Sequence, residues 1–224
     1  MRGLFVTLEG PEGSGKSTQL PLLVRWLEQR GYGVLHTREP GGTPISERIR
    51  DLLHDPAHTE MTARAEILLY SAARAQHVEE RIRPALEQGR IVLCDRFFDS
   101  TYAYQGYGRG LDLEALHTIT RFATGGLVPD VTLYLDLEPE VGLGRRRQGG
   151  GEMNRLDREA LDFHRRVRLG YLKLAAAEPD RWITLDGAGT IQEVQETIRM
   201  ALNPILRGWT GLRRRGGQER AGGR

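Results

Sequence analysis

The sequence predicts an α/β fold: a doubly wound, five-stranded parallel sheet flanked by helices, with a short lid. Short apolar, β-rich runs recur along the 224 residues at Leu4 to Glu9, Gly33 to Thr37, Ile91 to Asp95, Val131 to Asp136 and Trp182 to Leu185. Helical patterns lie between them, the alternation expected of parallel strands joined by crossover helices. The runs are near-continuous in hydrophobicity rather than alternating, which fits strands covered on both faces.

The first run leads into Gly10-Pro11-Glu12-Gly13-Ser14-Gly15-Lys16-Ser17, followed by Thr18, a full match to G-x-x-x-x-G-K-[ST]. Glycines let successive backbone N–H groups turn inward on an anion, and a slim ammonium can reach the β and γ phosphates of a nucleotide. Lys16 is one of only two lysines in a chain that otherwise uses arginine. A broad guanidinium fork does not replace it well there. Gln19 to Gln29 then carries Leu20, Leu22, Leu23, Val24, Trp26 and Leu27 at helical spacing and is closed by Gly31. Strand, glycine loop and helix are the setting of a P-loop NTPase-type fold, and they imply a nucleoside triphosphate with magnesium, the Ser17 hydroxyl on the metal.

In an open α/β sheet, ligands collect at the carboxyl ends of the strands. That rule selects Glu9 to Ser17, Arg38 to Gly42, Asp95 to Gly106, Asp136 to Glu140 and Asp186 to Gly189. Beyond the fourth run, Arg145-Arg146-Arg147-Gln148 precedes three glycines. This reads as a mobile cationic lid at about 145–157.

Composition limits the remaining classes. A hydrophobic fraction of 39% with 28% charged residues describes a globular protein with one domain, placed at 1–206. No apolar run approaches a membrane span, and Met1-Arg2-Gly3 leaves no room for a signal peptide before the first strand. The single cysteine, Cys94, ends an apolar run and reads as a buried residue of a cytoplasmic protein. A net charge of +2 does not announce nucleic-acid binding. The Arg- and Gly-rich stretch 207–224 reads as a disordered tail.

Arg38-Glu39-Pro40-Gly41-Gly42-Thr43, Tyr70-Ser71-Ala72-Ala73-Arg74, Asp95-Arg96-Phe97-Phe98-Asp99-Ser100 and Thr101-Tyr102-Ala103-Tyr104-Gln105-Gly106 fall in this order along the chain. Together with the glycine loop they resemble thymidylate kinase of the bacterial type, over about residues 3 to 203. The resemblance implies direct in-line transfer of the ATP γ-phosphoryl to the 5′-phosphate of dTMP, and a homodimer. It implies that Arg50 and Arg96 meet the acceptor phosphate and that Glu12 receives the 3′-hydroxyl. Tyr70 matches an aromatic that stacks on thymine, usually Phe in the family; Arg74 matches a donor to a thymine carbonyl. Gln105 would face the pyrimidine edge and Tyr104 would exclude a 2′-hydroxyl, with Ser100 and Thr101 lining the same turn.

The residues read by themselves leave alternatives. Either arginine could be a surface ion-pair partner, Tyr70 a core aromatic, and Asp95 a cap or Arg-paired aspartate instead of a holder of the magnesium-water shell. An acidic Glu12 opposes a phosphate loop electrostatically, so it serves something other than the phosphates. No arginine lies between the loop glycines, and the resemblance to the bacterial type then implies a bridging cation brought from the lid. Here the pattern degrades: Gly150 precedes Gly151-Glu152 and Asn154 precedes Arg155. Arg155, then Arg147, are the expected catalytic cations, and three consecutive arginines could also simply complement a helix C-terminus. A kinase of another nucleoside monophosphate is the alternative, and a non-kinase P-loop NTPase another; a guanine-reading switch is disfavoured because no Asn-Lys-x-Asp string occurs.

Overall fold

A computed structural model describes residues 2–148 and 155–209. The strands are β1 (Leu4–Glu9), β2 (Val34–Arg38), β3 (Ile91–Asp95), β4 (Val131–Asp136) and β5 (Trp182–Asp186), each within a residue of its predicted run. They form one sheet in the order β2-β3-β1-β4-β5, with every neighbouring pair parallel. The glycine-loop strand β1 is central and buried along its whole length.

Helices cover both faces. Leu20, Leu23, Trp26 and Leu27 of α1 (Lys16–Glu28) and Val194, Ile198, Leu202 and Leu206 of α9 (Ile191–Gly208) bury against Val6, Leu8, Leu93, Leu133 and Leu135. On the opposite face, Phe5, Val92, Cys94 and Tyr134 meet Val78, Ile82, Phe97, Val167 and Tyr171. Each fully buried large apolar side chain contributes roughly 1.5–3 kcal/mol, which is why the alternating strand positions hold the two layers in register.

The remaining helices are α2 (Pro44–His54), α3 (Ala63–His77), α4 (Arg83–Glu87), α5 (Phe98–Thr101), α6 (Leu113–Thr124), α7 (Pro139–Gln148) and α8 (Leu161–Ala177). Thr43 caps α2 by accepting from the Ser46 N–H at 3.2 Å, with Pro44 in the first turn. Val78–Ile82 and Tyr102–Gly108 are π-helical. The second of these widened turns carries Tyr104 and Gln105.

Register places the site. Asp95 sits opposite Leu8 on one side and Arg38 on the other, so the loops after β1, β2 and β3 leave the same edge side by side. The first helix starts at Lys16, three residues before its apolar pattern, because Gly15 at φ 95° is its N-cap. α9 runs past the boundary expected at 206: the Trp209 ring lies 5.8 Å from Tyr32 and its indole N–H donates to the Arg2 carbonyl at 3.3 Å. Cys94 is buried as expected. Residues 149–154 of the expected lid, its glycine run and Asn154 included, and the tail from 210 lie outside the described residues.

Candidate active site

The glycine loop takes the conformation that its sequence requires. Gly10, Gly13 and Gly15 all have positive φ. A Cβ on Gly13 would lie 2.1 Å from the Gly142 carbonyl oxygen, so α7 seats directly against the loop backbone. Lys16 Nζ donates to the carbonyls of Gly10 and Pro11 at 2.9 and 3.0 Å and to Ser14 Oγ at 3.2 Å, which lays the ammonium across the loop. Burial, with Arg96 nearby, lowers the Lys16 ammonium to about 8 against the pull of Asp95 and Glu12. Thr18, on the exposed side, donates its backbone N–H to the Gly15 carbonyl.

Glu12 leaves this loop toward β3. Its Oε1 accepts from Arg96 at 2.9 Å and from the Tyr104 hydroxyl at 2.7 Å. Burial alone would raise its carboxyl, but Arg96, Lys16 and the Tyr104 hydroxyl together hold it down at about 2. Arg96 is the only non-glycine with positive φ among the described residues, at 65°. Such backbone strain persists where surrounding contacts over-determine it. Here Ser100 Oγ, the Tyr171 hydroxyl and the Tyr104 hydroxyl surround its guanidinium at 3.2, 3.0 and 3.1 Å.

Beneath Arg96 lies Glu9, fully buried at the end of β1. It accepts from the Phe97 N–H at 2.7 Å, Ser100 Oγ at 2.6 Å and the Tyr171 hydroxyl at 2.9 Å. Burial, together with Asp99, lifts its carboxyl to about 7 despite Arg96 and the hydrogen bonds.

The other end of the cleft is built on α3, where Glu66, Tyr70 and Arg74 recur every fourth residue and share one face. Arg74 is fixed by Glu39 Oε2 at 2.7 Å through Nε and by Thr101 Oγ1 at 3.0 Å through one terminal nitrogen. Its other terminal nitrogen, Nη1, is buried without a hydrogen-bond partner among the described residues. His77 braces Glu39 from behind at 3.2 Å and pairs with Thr37 at 2.6 Å. Gln105 Nε2 donates to Glu66 at 2.8 Å. Arg50 Nη1 donates to the Pro40 carbonyl at 2.9 Å.

Glu12 to Ser17, Arg50, Tyr70, Arg74, Asp95, Arg96, Ser100, Thr101, Tyr104 and Gln105 all line a single cleft. Gly10 and Pro11 lie behind it, holding Lys16. Asp95 Oδ1 is buried with no hydrogen-bond partner among the described residues, in the same cleft as the Ser17 hydroxyl. That pair suits a magnesium ion, which keeps most of its own waters and needs only one or two protein oxygens. No cluster of three or more metal-ligating side chains occurs among the described residues.

The lid arginines separate. Arg146 lines the cleft and pairs with Asp157 at 3.1 Å. Arg145 donates to the Gly187 and Ala188 carbonyls at the end of β5, both at 2.9 Å, and Arg147 is exposed. Arg155 is turned away from the phosphate loop: it pairs with Glu66 and donates to the Leu53 carbonyl at 3.2 Å.

Sequence reasoning missed Glu66, Glu39 and Tyr171. Glu66 and Glu39 sit within or beside quoted motifs, but nothing in their spacing reveals a buried partner. Tyr171 is distant in sequence from everything it touches, and only α8 packing against the π-helical turn brings it there.

The thymidylate kinase family profile matches residues 8–198. A thymidylate kinase of a Roseiflexus species is 53% identical over 220 residues, covering 93% of this chain and 97% of that protein. Another, from Roseiflexus castenholzii, is 55% identical over 215 residues, covering 91% and 94%. The crystal structure of thymidylate kinase from Ehrlichia chaffeensis superposes with a TM-score of 0.75 at 31% identity, covering 91% of this chain and all of that one.

Proposed function

The chain belongs to the thymidylate kinase family, and from that premise we propose how its residues divide the work. The enzyme transfers the γ-phosphoryl of ATP to the 5′-phosphate of dTMP, giving ADP and dTDP for DNA synthesis. One observation carries the assignment: Glu12 rises from the phosphate loop and joins Arg96 and Tyr104 in the same cleft as Lys16. A loop that binds one nucleotide thereby supplies a carboxylate to another.

The task is to bring two polyanions together, so catalysis is positioning plus charge stabilisation. Lys16 exchanges its loop carbonyls for the donor β and γ phosphates, with the loop N–H groups from Gly13 to Thr18 around them. Arg96 and Arg50 orient the acceptor phosphate in line, beside Ser100. Glu12 takes the 3′-hydroxyl, and the Tyr104 ring closes the space at C2′ against ribose. Tyr70 stacks on the base, while Arg74, braced by Thr101, and Gln105 meet its edge. Ser17, with Asp95 through water, would hold magnesium, which would supply charge neutralisation on the donor phosphates.

The lid contributes the remaining cations. Arg146 already lines the cleft, and Arg155 and Arg147 complete the set, Arg155 by leaving Glu66. A homodimer is part of the proposal. It is supported by Leu52, Leu68 and Phe122 on α2, α3 and α6, which are 48%, 58% and 92% exposed on helices that pack side by side. Among the described residues, no helix is long and apolar enough to cross a membrane. A cytoplasmic location is proposed with it, consistent with a lone buried cysteine.

The test is purified protein with ATP, magnesium and each nucleoside monophosphate, products resolved by chromatography. dTDP should form fastest. Absence of dTDP, or faster turnover of another monophosphate, would overturn the assignment.

A further inference from the structure

We propose that Glu66 sets the base selectivity of the cleft by locking the Gln105 side-chain amide in one of its two orientations, carbonyl oxygen toward the base. The inference rests on the acceptor-site reading above and adds a positioning residue to it.

A primary amide has two ends of almost equal shape and opposite hydrogen-bonding character. What decides its orientation is the neighbour that cannot reverse. Glu66 is 0% exposed in the first turn of α3, and its Oε1 accepts from Gln105 Nε2 at 2.8 Å. An ionised carboxylate has no proton to give, so only the nitrogen end of Gln105 can face it. Turning the amide over would set a carbonyl oxygen against a carboxylate oxygen inside the protein, leaving both unsatisfied.

The ionised state of Glu66 is itself secured. Arg109 stands 3.3 Å from its Oε2 and remains as its partner when Arg155, which pairs with the same atom here, leaves for the phosphates. Burial would raise the carboxyl, but the Gln105 hydrogen bond, Arg109 and Arg155 outweigh it and hold it below the usual range.

With Nε2 committed, the Gln105 oxygen is the end left for a ligand; it accepts no hydrogen bond among the described residues, and the side chain lines the cleft. Arg74 lines the same cleft, and its buried Nη1 has no hydrogen-bond partner among the described residues. The pair therefore offers one acceptor and one donor. That is the complement of a ring N–H next to a carbonyl, the edge of thymine and uracil. Cytosine offers a ring lone pair next to an amino group and would meet acceptor with acceptor and donor with donor. Sites built on such hydrogen bonds reject the mismatched partner strongly. Once Glu66 no longer forbids the flip, half of that mismatch disappears.

The experiment compares kcat/KM for dTMP and for dCMP, with ATP and magnesium, in the full-length chain and in Glu66→Gln. A glutamine at 66 can donate or accept, so Gln105 is free to turn. The dTMP-over-dCMP preference should fall by about tenfold or more. Loss of the Arg155 and Arg109 pairings slows both substrates alike and cancels in the ratio, so a merely structural role does not move this readout. In a Gln105→Met background, Glu66→Gln should leave the ratio where Gln105→Met put it. Where thermal melting shows that the glutamine variant does not fold, Glu66→Ser, which lets water take the place of the carboxylate, carries the same expectation. A folded variant whose preference stays within about threefold of the parent overturns the proposal. A parent enzyme that makes no dTDP at all would instead overturn the assigned reaction.

Discussion

Arg96 and Glu12 are joined by a 2.9 Å ion pair that ties the residue after β3 to the middle of the phosphate loop. Each is held by a second route, Tyr104 donating to Glu12 and lying beside Arg96. Replacing Arg96 with alanine removes the cation proposed for the acceptor phosphate and leaves the largely buried Glu12 carboxylate without its ion-pair partner. Loss of one such charge-stabilising donor lowers kcat by about 10²–10³-fold. Steady-state kinetics of Arg96→Ala should show that loss in kcat/KM for dTMP, with a smaller change in the KM for ATP.

Glu12→Gln separates the carboxylate from its shape. The amide keeps a contact with the 3′-hydroxyl but loses the charge-assisted acceptor, a difference of about 1–3 kcal/mol. The preference for dTMP over 3′-deoxy-TMP should therefore narrow by roughly tenfold or more. Because the Glu12 carboxyl is held at about 2, the parent pH–rate profile should show no inflection from this residue above about pH 4. Equal losses on both substrates would remove Glu12 from the hydroxyl.

Glu9 gives the fold a pH dependence of definite sign. Its carboxyl is raised from 4.5 to about 7 in the folded protein, so the folded state binds the proton more tightly than the unfolded chain. The associated stability is fully present below the unfolded value and is lost as pH rises through 7. Across pH 4.5 to 7.5, below the titration of Lys16, this amounts to up to about 3 kcal/mol. Thermal melts of the parent should fall more steeply over that window than those of Glu9→Gln. Parallel pH profiles would contradict the assignment.

Gly13→Ala tests the seat of the loop. The new Cβ meets the Gly142 carbonyl at 2.1 Å, and the backbone φ of 70° is one that an L side chain resists. Left-handed backbone alone costs about 1–2 kcal/mol, and the clash adds to it. A lowered melting temperature and a raised KM for ATP are expected, whereas Gly144→Ala, with open space around it, should be nearly silent.

The parts of this enzyme legible in the sequence are those whose chemistry is local. The loop from Gly10 to Ser17 shows itself because glycine, lysine and serine must follow one another at fixed spacing. The strands show themselves because burial on both faces leaves unbroken apolar runs. Glu66, Glu39 and Tyr171 were not legible, because a buried carboxylate and an exposed one look alike until the partner is in place. Arg155 illustrates the limit from the other side: the family resemblance, not its spacing, points it at the phosphates, and only the fold shows that it also has Glu66 and the Leu53 carbonyl within reach.

The central claim is that Lys16 serves the donor and Glu12 the acceptor in one cleft. A crystal structure with dTMP and a non-hydrolysable ATP analogue tests it most directly. The account predicts the analogue's phosphates on Lys16 and the loop, the dTMP phosphate within about 3 Å of Arg96 and Arg50, and the 3′-hydroxyl on Glu12. A monophosphate whose sugar lies away from Glu12, or whose base lies outside the Tyr70, Arg74 and Gln105 pocket, would contradict it.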